Sequence, residues 1–174
     1  MNAPSAIAVP ATLARALRDA AVDGRSALGF HVADANAWLV RDDGQGGWQT
    51  EAVALSPQRI AERHFRADLP RPVELEHAID HVEDELTRLA TWASGRHTLV
   101  SDDPGVAELM ATLPMGQSLD RETVETLFQR LASGALGQPQ ALVGLPTGRR
   151  AAALLLVLRE LMHHFDLHQA IHAG

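Results

Sequence analysis

The hydrophobic pattern of this chain changes from strand-like to helical period at Leu55-Ser56-Pro57. Before that point, Ala27 to Ala33, Ala37 to Arg41 and Trp48 to Leu55 are short runs rich in β-formers, separated by turn residues. Such runs read as strands, and Asp42 to Gly47, with two aspartates and three glycines, reads as the tight turn of an antiparallel hairpin. After that point the spacing becomes helical. Ser56-Pro57 has the form of a helix start, with Ser as N-cap and Pro at the first helical position, for a helix reaching about Arg66. A meander of strands followed by helix–strand alternation restricts the chain to one mixed sheet with helices on its faces.

The remaining elements follow from the same signals. Thr12 is expected to cap a first helix from Leu13 to about Val22, with Asp23-Gly24 as its turn. Leu75, Ile79, Val82, Leu86, Leu89 and Ala93 recur in steps of four and three, which predicts one long helix from Val73 to about Ser94. Thr98 to Val100 predicts a short buried strand. Asp103-Pro104 and Asp120 to Thr123 predict two more helix starts, and Arg149 to Phe165 a final helix, apolar nearly all the way round and so deeply buried. Leu167 to His172 alternates and suits a closing strand. The whole chain of 174 residues reads as a single domain, with residues 1–11, Ala/Pro-rich, as a flexible start.

Composition excludes several functions. With 15 basic and 22 acidic residues the formal charge is −7, which disfavours nucleic acid bound over a broad basic surface. Cysteine and tyrosine are absent, which removes disulfides, thiolate nucleophiles, Cys-type metal sites and phenol chemistry. No segment has the ~18 apolar residues of a membrane span, and Met1 to Pro10 lacks the basic start and apolar core of a signal peptide. A cytoplasmic location without membrane association is the resulting expectation.

Several groups have the look of chemistry. Nine histidines are present, and His163, His164, His168 and His172 lie close to the C-terminus. On a continuous helix His164, His168 and His172 would form one metal-binding stripe; on a strand only His168 and His172 share a face. Glu74-x-x-His77 and Glu160-x-x-His163 match the pair used in di-iron bundles, but too few helices remain for such a bundle. His77, Asp80, His81 and Asp84 read as a solvated helix face, and Asp42-Asp43 as turn aspartates. Arg149-Arg150 beside Gly148 reads as a helix start. Trp38 and Trp48 flank the hairpin turn and are expected as cross-strand neighbours or as an exposed contact patch.

The element order and the C-terminal third resemble the second actin-like half of the Ppx/GppA phosphatases, the exopolyphosphatases and guanosine pentaphosphate phosphatases. Ser118 to Ala132 is similar to that family's L-x-R-E-x-L-E-x-L helix. Gly144-Leu145-Pro146, Arg149 and the run Ala151 to Leu158 are similar to its PGL-x-x-R-A-D turn and buried helix. Glu51 to Leu55 through Phe65, and Pro70 to Leu75, are similar to its strand, its R-L-T-E-R-F helix and its approach to a long helix. The resemblance spans residues 28–174 and implies an α/β fold of the ribonuclease-H-like, actin-like type: a mixed sheet, made of an antiparallel three-strand meander plus parallel strands, flanked by helices.

The departures bear on activity. Family enzymes cradle phosphate on a glycine-rich turn, D-I-G-G-G-S-T-E, because a Cβ would block the approach of an oxyanion to main-chain N–H groups. Here His31 to Trp38 stands in its place, without glycine and with Trp38 where the acidic residue belongs. The second phosphate loop, G-G-T, falls at Ser101-Asp102-Asp103, where two carboxylates would repel phosphate by on the order of 1 kcal/mol or more. Asp34, Asn36, Ser101, Asp102 and Asp103 are thus the candidate cleft positions, and no catalytic residue carries over. The implied protein binds or scaffolds without turnover, needs no cofactor, and associates with itself or another protein to cover the face that the family's other half covers. The alternative is a weak phosphohydrolase or nucleotide binder whose rebuilt site, Asp34, Asp102 and Asp103, holds Mg²⁺.

Overall fold

The computed structural model describes residues 7–21, 26–93, 95 and 98–174. The expectations for Asp23-Gly24, for Ser94 and for the first six residues lie outside these. The elements are α1 (Ala11–Ala20), β1 (Ala27–Ala33), β2 (Asn36–Asp42), β3 (Trp48–Val53), α2 (Pro57–His64), α3 (Pro72–Thr87), α4 (Ala90–Ala93), β4 (Thr98–Ser101), α5 (Pro104–Ala111), β5 (Leu119–Asp120), α6 (Arg121–Ala135), a 3-10 turn (Pro139–Leu142), α7 (Arg149–His164) and β6 (Gln169–His172). One sheet holds all six strands in the order β3-β2-β1-β4-β6-β5. The β1–β2–β3 meander is antiparallel, β1, β4 and β6 run parallel, and β5 closes the edge antiparallel to β6.

Strand alternation divides the core in two. Leu28 and Phe30 of β1, Leu39 of β2 and Leu99 of β4 face the larger core with α2, α3, α5, α6 and α7. Ala27, Val40 and Val100 face the other way, onto Leu13 and Leu17 of α1. Gly29 makes this second layer possible. A Cβ there would stand 2.9 Å from Val40 Cβ and 3.1 Å from Leu17 Cδ1, so α1 lies close to the sheet only because β1 is bare at this position. In the larger core α7 is the centre: every residue from Ala152 to Leu158 is buried, with Leu161 and Met162, as the continuous apolar run demands.

Several local expectations need correction. The long helix after Pro72 breaks: the Leu89 N–H bonds the Leu86 carbonyl at 2.9 Å, three residues back, so the chain tightens after α3 and restarts as α4. Arg88 at the break reaches Glu51 on β3 (3.2 Å) and Glu85 (2.7 Å), tying this corner to the sheet. Neither Thr12 nor Ser56 caps through its side chain: α1 opens at Ala11 after Pro10, and the Ser56 hydroxyl donates to the Asp34 carbonyl at 3.4 Å instead. Trp38 and Trp48 are not cross-strand neighbours. They pair with Ala52 and Asp42, and both are half-buried rather than an exposed patch, Trp48 under Arg18 and Trp38 on His31. The closing strand forms, so His164, His168 and His172 are not one helical stripe. Asp42 and Asp43 serve the hairpin turn, accepting from Gly44 N (2.6 Å), Gln45 N (2.7 Å) and Gly47 N (2.9 Å). Glu74 closes the start of α3, accepting from the Arg71 N–H at 3.0 Å and from its guanidinium at 2.8 Å, and is unavailable to His77.

Candidate functional site

Parallel strands in a mixed sheet end together, and loops beyond their C-terminal ends are where α/β proteins bind ligands. Here β4 and its pairing with β1 end with Phe30 opposite Ser101, while β1 runs on beside β2 to Ala33. One residue further, His31 and Asp102 are therefore neighbours. Asp102 Oδ2 lies 2.6 Å from His31 Nδ1, and Asp102 Oδ1 accepts the Val32 main-chain N–H at 3.4 Å. The imidazole lies on the Trp38 indole, ring centres 5.6 Å apart and planes 28° apart, because His31 and Trp38 are register partners on β1 and β2. The three side chains form one layered cap over the strand ends. The Trp38 Nε1–H beneath it is buried with no acceptor among the described residues.

Ser101 and Asp103 turn inward. The Ser101 hydroxyl donates to the Phe30 carbonyl at 2.8 Å and accepts the Asp103 N–H at 3.2 Å, locking β4 to β1. Asp103 is fully buried. Its Oδ1 caps α5 by accepting the Gly105 N–H at 2.8 Å, and its Oδ2 accepts from the Arg150 guanidinium at 2.6 Å. Gly105 has to be glycine at this close packing: a Cβ would stand 2.4 Å from Leu154 Cδ2 and 3.1 Å from Asp103 Oδ1. Arg150 is thus the partner of a buried carboxylate rather than a free cation at the start of α7.

Asp34 and Asn36 lie on the β1–β2 turn, both exposed, with Asp34 in the left-handed region at φ 53°. That turn is tied to Ser56 and not to Asp102. The five candidate positions therefore divide into an exposed turn and a packed strand end. Asp102 and Asp103, adjacent in sequence, are not a carboxylate pair, since they point to different partners. Sequence reasoning missed His31 and the true role of Arg150. Their signal was register: His31 meets Asp102 only because β1 and β4 pair in parallel with Phe30 opposite Ser101.

Beside the turn lies a cleft of about 540 Å³ lined by Ala35, Ala54, Arg59, Arg63, Glu62 and His81. Behind it His81 meets His64 edge to face, ring centres 5.1 Å apart. Burial lowers both imidazoles from their ordinary value, helped by His81 and Arg63 at His64 and by Arg63 at His81. Among the described residues, no helix is long and apolar enough to cross a membrane.

No protein-family model matches the chain, and no curated protein sequence matches it. Solved structures do. The Aquifex aeolicus PPX-GPPA enzyme superposes with a TM-score of 0.66 at 14% identity, over 92% of this chain and 56% of that one. The type II variant of the Aquifex aeolicus Ppx/GppA phosphatase gives 0.66 at 12% identity, with the same coverage. An exopolyphosphatase-like protein gives 0.52 at 14% identity, over 84% of this chain and 53% of that one. This chain spans about half the length of the structures it matches. Over 92% of its residues it has the mixed-sheet, actin-like fold of the Ppx/GppA phosphatase structures.

Proposed function

We propose that this protein is a non-catalytic counterpart of the Ppx/GppA phosphatases, a binding or scaffolding module that works as a homodimer. The observation that carries this reading is the Asp102 carboxylate. It sits against the Val32 N–H and His31, at the strand ends where a phosphate loop would offer main-chain N–H groups to an oxyanion. That internal carboxylate already takes one main-chain N–H that a phosphate oxygen would use. A phosphate brought beside it meets a like charge, a cost on the order of 1 kcal/mol or more. His31 and Trp38 fill the space above, and no glycine opens the main chain from His31 to Trp38.

Purified protein with Mg²⁺ and either polyphosphate or guanosine pentaphosphate is expected to release no phosphate above background. Sustained turnover would overturn the reading. The alternative, a Mg²⁺-dependent phosphohydrolase on Asp34, Asp102 and Asp103, requires Asp103 to leave both Arg150 and the α5 cap. Calorimetry with Mg²⁺ and ATP tests it: heat of binding that disappears in Asp102→Asn would favour the alternative.

A further inference from the structure

The C-terminal end of α7 carries a second cluster, about 21 Å along the helix from Arg150 at ~1.5 Å per residue. Glu160 is 2% exposed, one of three buried acids among the described residues, with Glu74 and Asp103. Its Oε1 accepts a hydrogen bond from the Arg159 guanidinium. Its Oε2 accepts none from any described residue and points at His164 Nε2, 3.9 Å away and beyond hydrogen-bond reach. Glu83, from α3, brings its Oε1 to 3.8 Å from the same nitrogen. One ligand atom from each of the three residues lies within 4.8 Å of the other two.

We propose that Glu83, Glu160 and His164 bind one divalent transition-metal ion of the Zn²⁺ class, linking α3 to the end of α7. Oxygen and imidazole donors at this spacing can converge on one ion at bonds of ~2.0–2.2 Å. Glu160 is the member set deepest in the fold, its Oε1 held by Arg159 and its Oε2 turned toward His164. The neighbouring charges agree: Glu83, Glu160 and Glu125 are set against the single guanidinium of Arg159, and one divalent ion makes up the difference. His163 is not a rival ligand, since it turns to Glu125 at 3.2 Å. An imidazole with two carboxylates favours Zn²⁺ or Ni²⁺ over Mg²⁺, which prefers oxygen and water in an octahedron. Three protein ligands leave a position for water. Glu83 and His164 are partly exposed and give the ion a way in.

This site is independent of the proposed loss of catalysis and is tested without any activity measurement. Chelator-treated full-length protein is titrated calorimetrically with Zn²⁺ alone and with Mg²⁺ alone, and its thermal midpoint is followed. One equivalent of Zn²⁺ is expected to bind and raise the midpoint, while Mg²⁺ does neither. Glu83→Gln and His164→Gln, at partly exposed positions that tolerate change, are expected to weaken Zn²⁺ on the order of tenfold or more. His77→Gln, on an exposed turn of α3, is expected to leave the affinity unchanged. Unchanged affinity in both Glu83→Gln and His164→Gln, or a Zn²⁺-independent midpoint, would refute the site.

Discussion

Asp103 is buried, and its two oxygens serve two elements, one as the cap of α5 and the other as the partner of Arg150 on α7. Asp103→Ala removes a cap and strands a guanidinium that is only partly exposed, at 39%. A loss of about 2 kcal/mol or more is expected, between the cost of a lost cap and that of a broken buried pair. Urea unfolding measures it, and a loss below about 0.5 kcal/mol would show the pair to be idle. Asp120 is a simpler case. Its carboxylate accepts the Thr123 N–H at 2.8 Å at the start of α6, and that bond holds its pKa below the ordinary value. A carboxyl depressed on folding stabilises above its unfolded pKa of ~3.9, and the contribution is lost as pH falls through the folded value. Asp120→Ala is therefore expected to cost about 1 kcal/mol near neutrality, with the difference from the unaltered chain vanishing in strong acid. Unfolding curves at the two pH values check the sign.

At the scale of elements, the contact between α1 and the sheet turns on Gly29. A methyl group there meets Val40 and Leu17 at 2.9 and 3.1 Å, inside ordinary contact distance. Gly29→Ala is expected to cost about 1–3 kcal/mol, the usual range for overpacking. The loss should be local first: hydrogen exchange at the α1 amides should speed up before that of α7, which lies in the other core. Equal acceleration in both helices would mean that the two layers unfold as one. β5 shows how an element can arise from its neighbours alone. Leu119-Asp120 is two residues long and has no strand pattern of its own, yet it pairs with Gln169-Ala170 because α6 starts beside β6.

For the whole molecule, the matched Ppx/GppA structures are nearly twice as long as the part this chain covers. A homodimer would bring a second copy of the same fold against the first. Sedimentation equilibrium is expected to give twice the chain mass of 18.7 kDa across micromolar loading concentrations. A constant monomer mass would remove the dimer from the proposal and leave the catalytic reading intact.

The local signals in the sequence were enough for most elements. Strand alternation from Ala27, the glycines after Asp43, Asp103-Pro104, Asp120 and the apolar run in α7 each encode their structure within a few residues, so caps, turns and periods could be read directly. The break after α3 was hidden because its apolar spacing continues unbroken into α4, while the tightened turn answers to Arg88 reaching β3. The strand ends were legible only in part. Asp102 and Asp103 stood out as acids, but the partners that commit them lie 71 and 47 residues away. Glu83 and Glu160 likewise carry no shared pattern in the chain. Their meeting with His164 depends on how α3 packs on α7. Which residues form helix or strand is a short-range matter of sterics and burial period. Which polar side chains meet is fixed by strand register and helix packing, and those exist only once the chain has closed on itself.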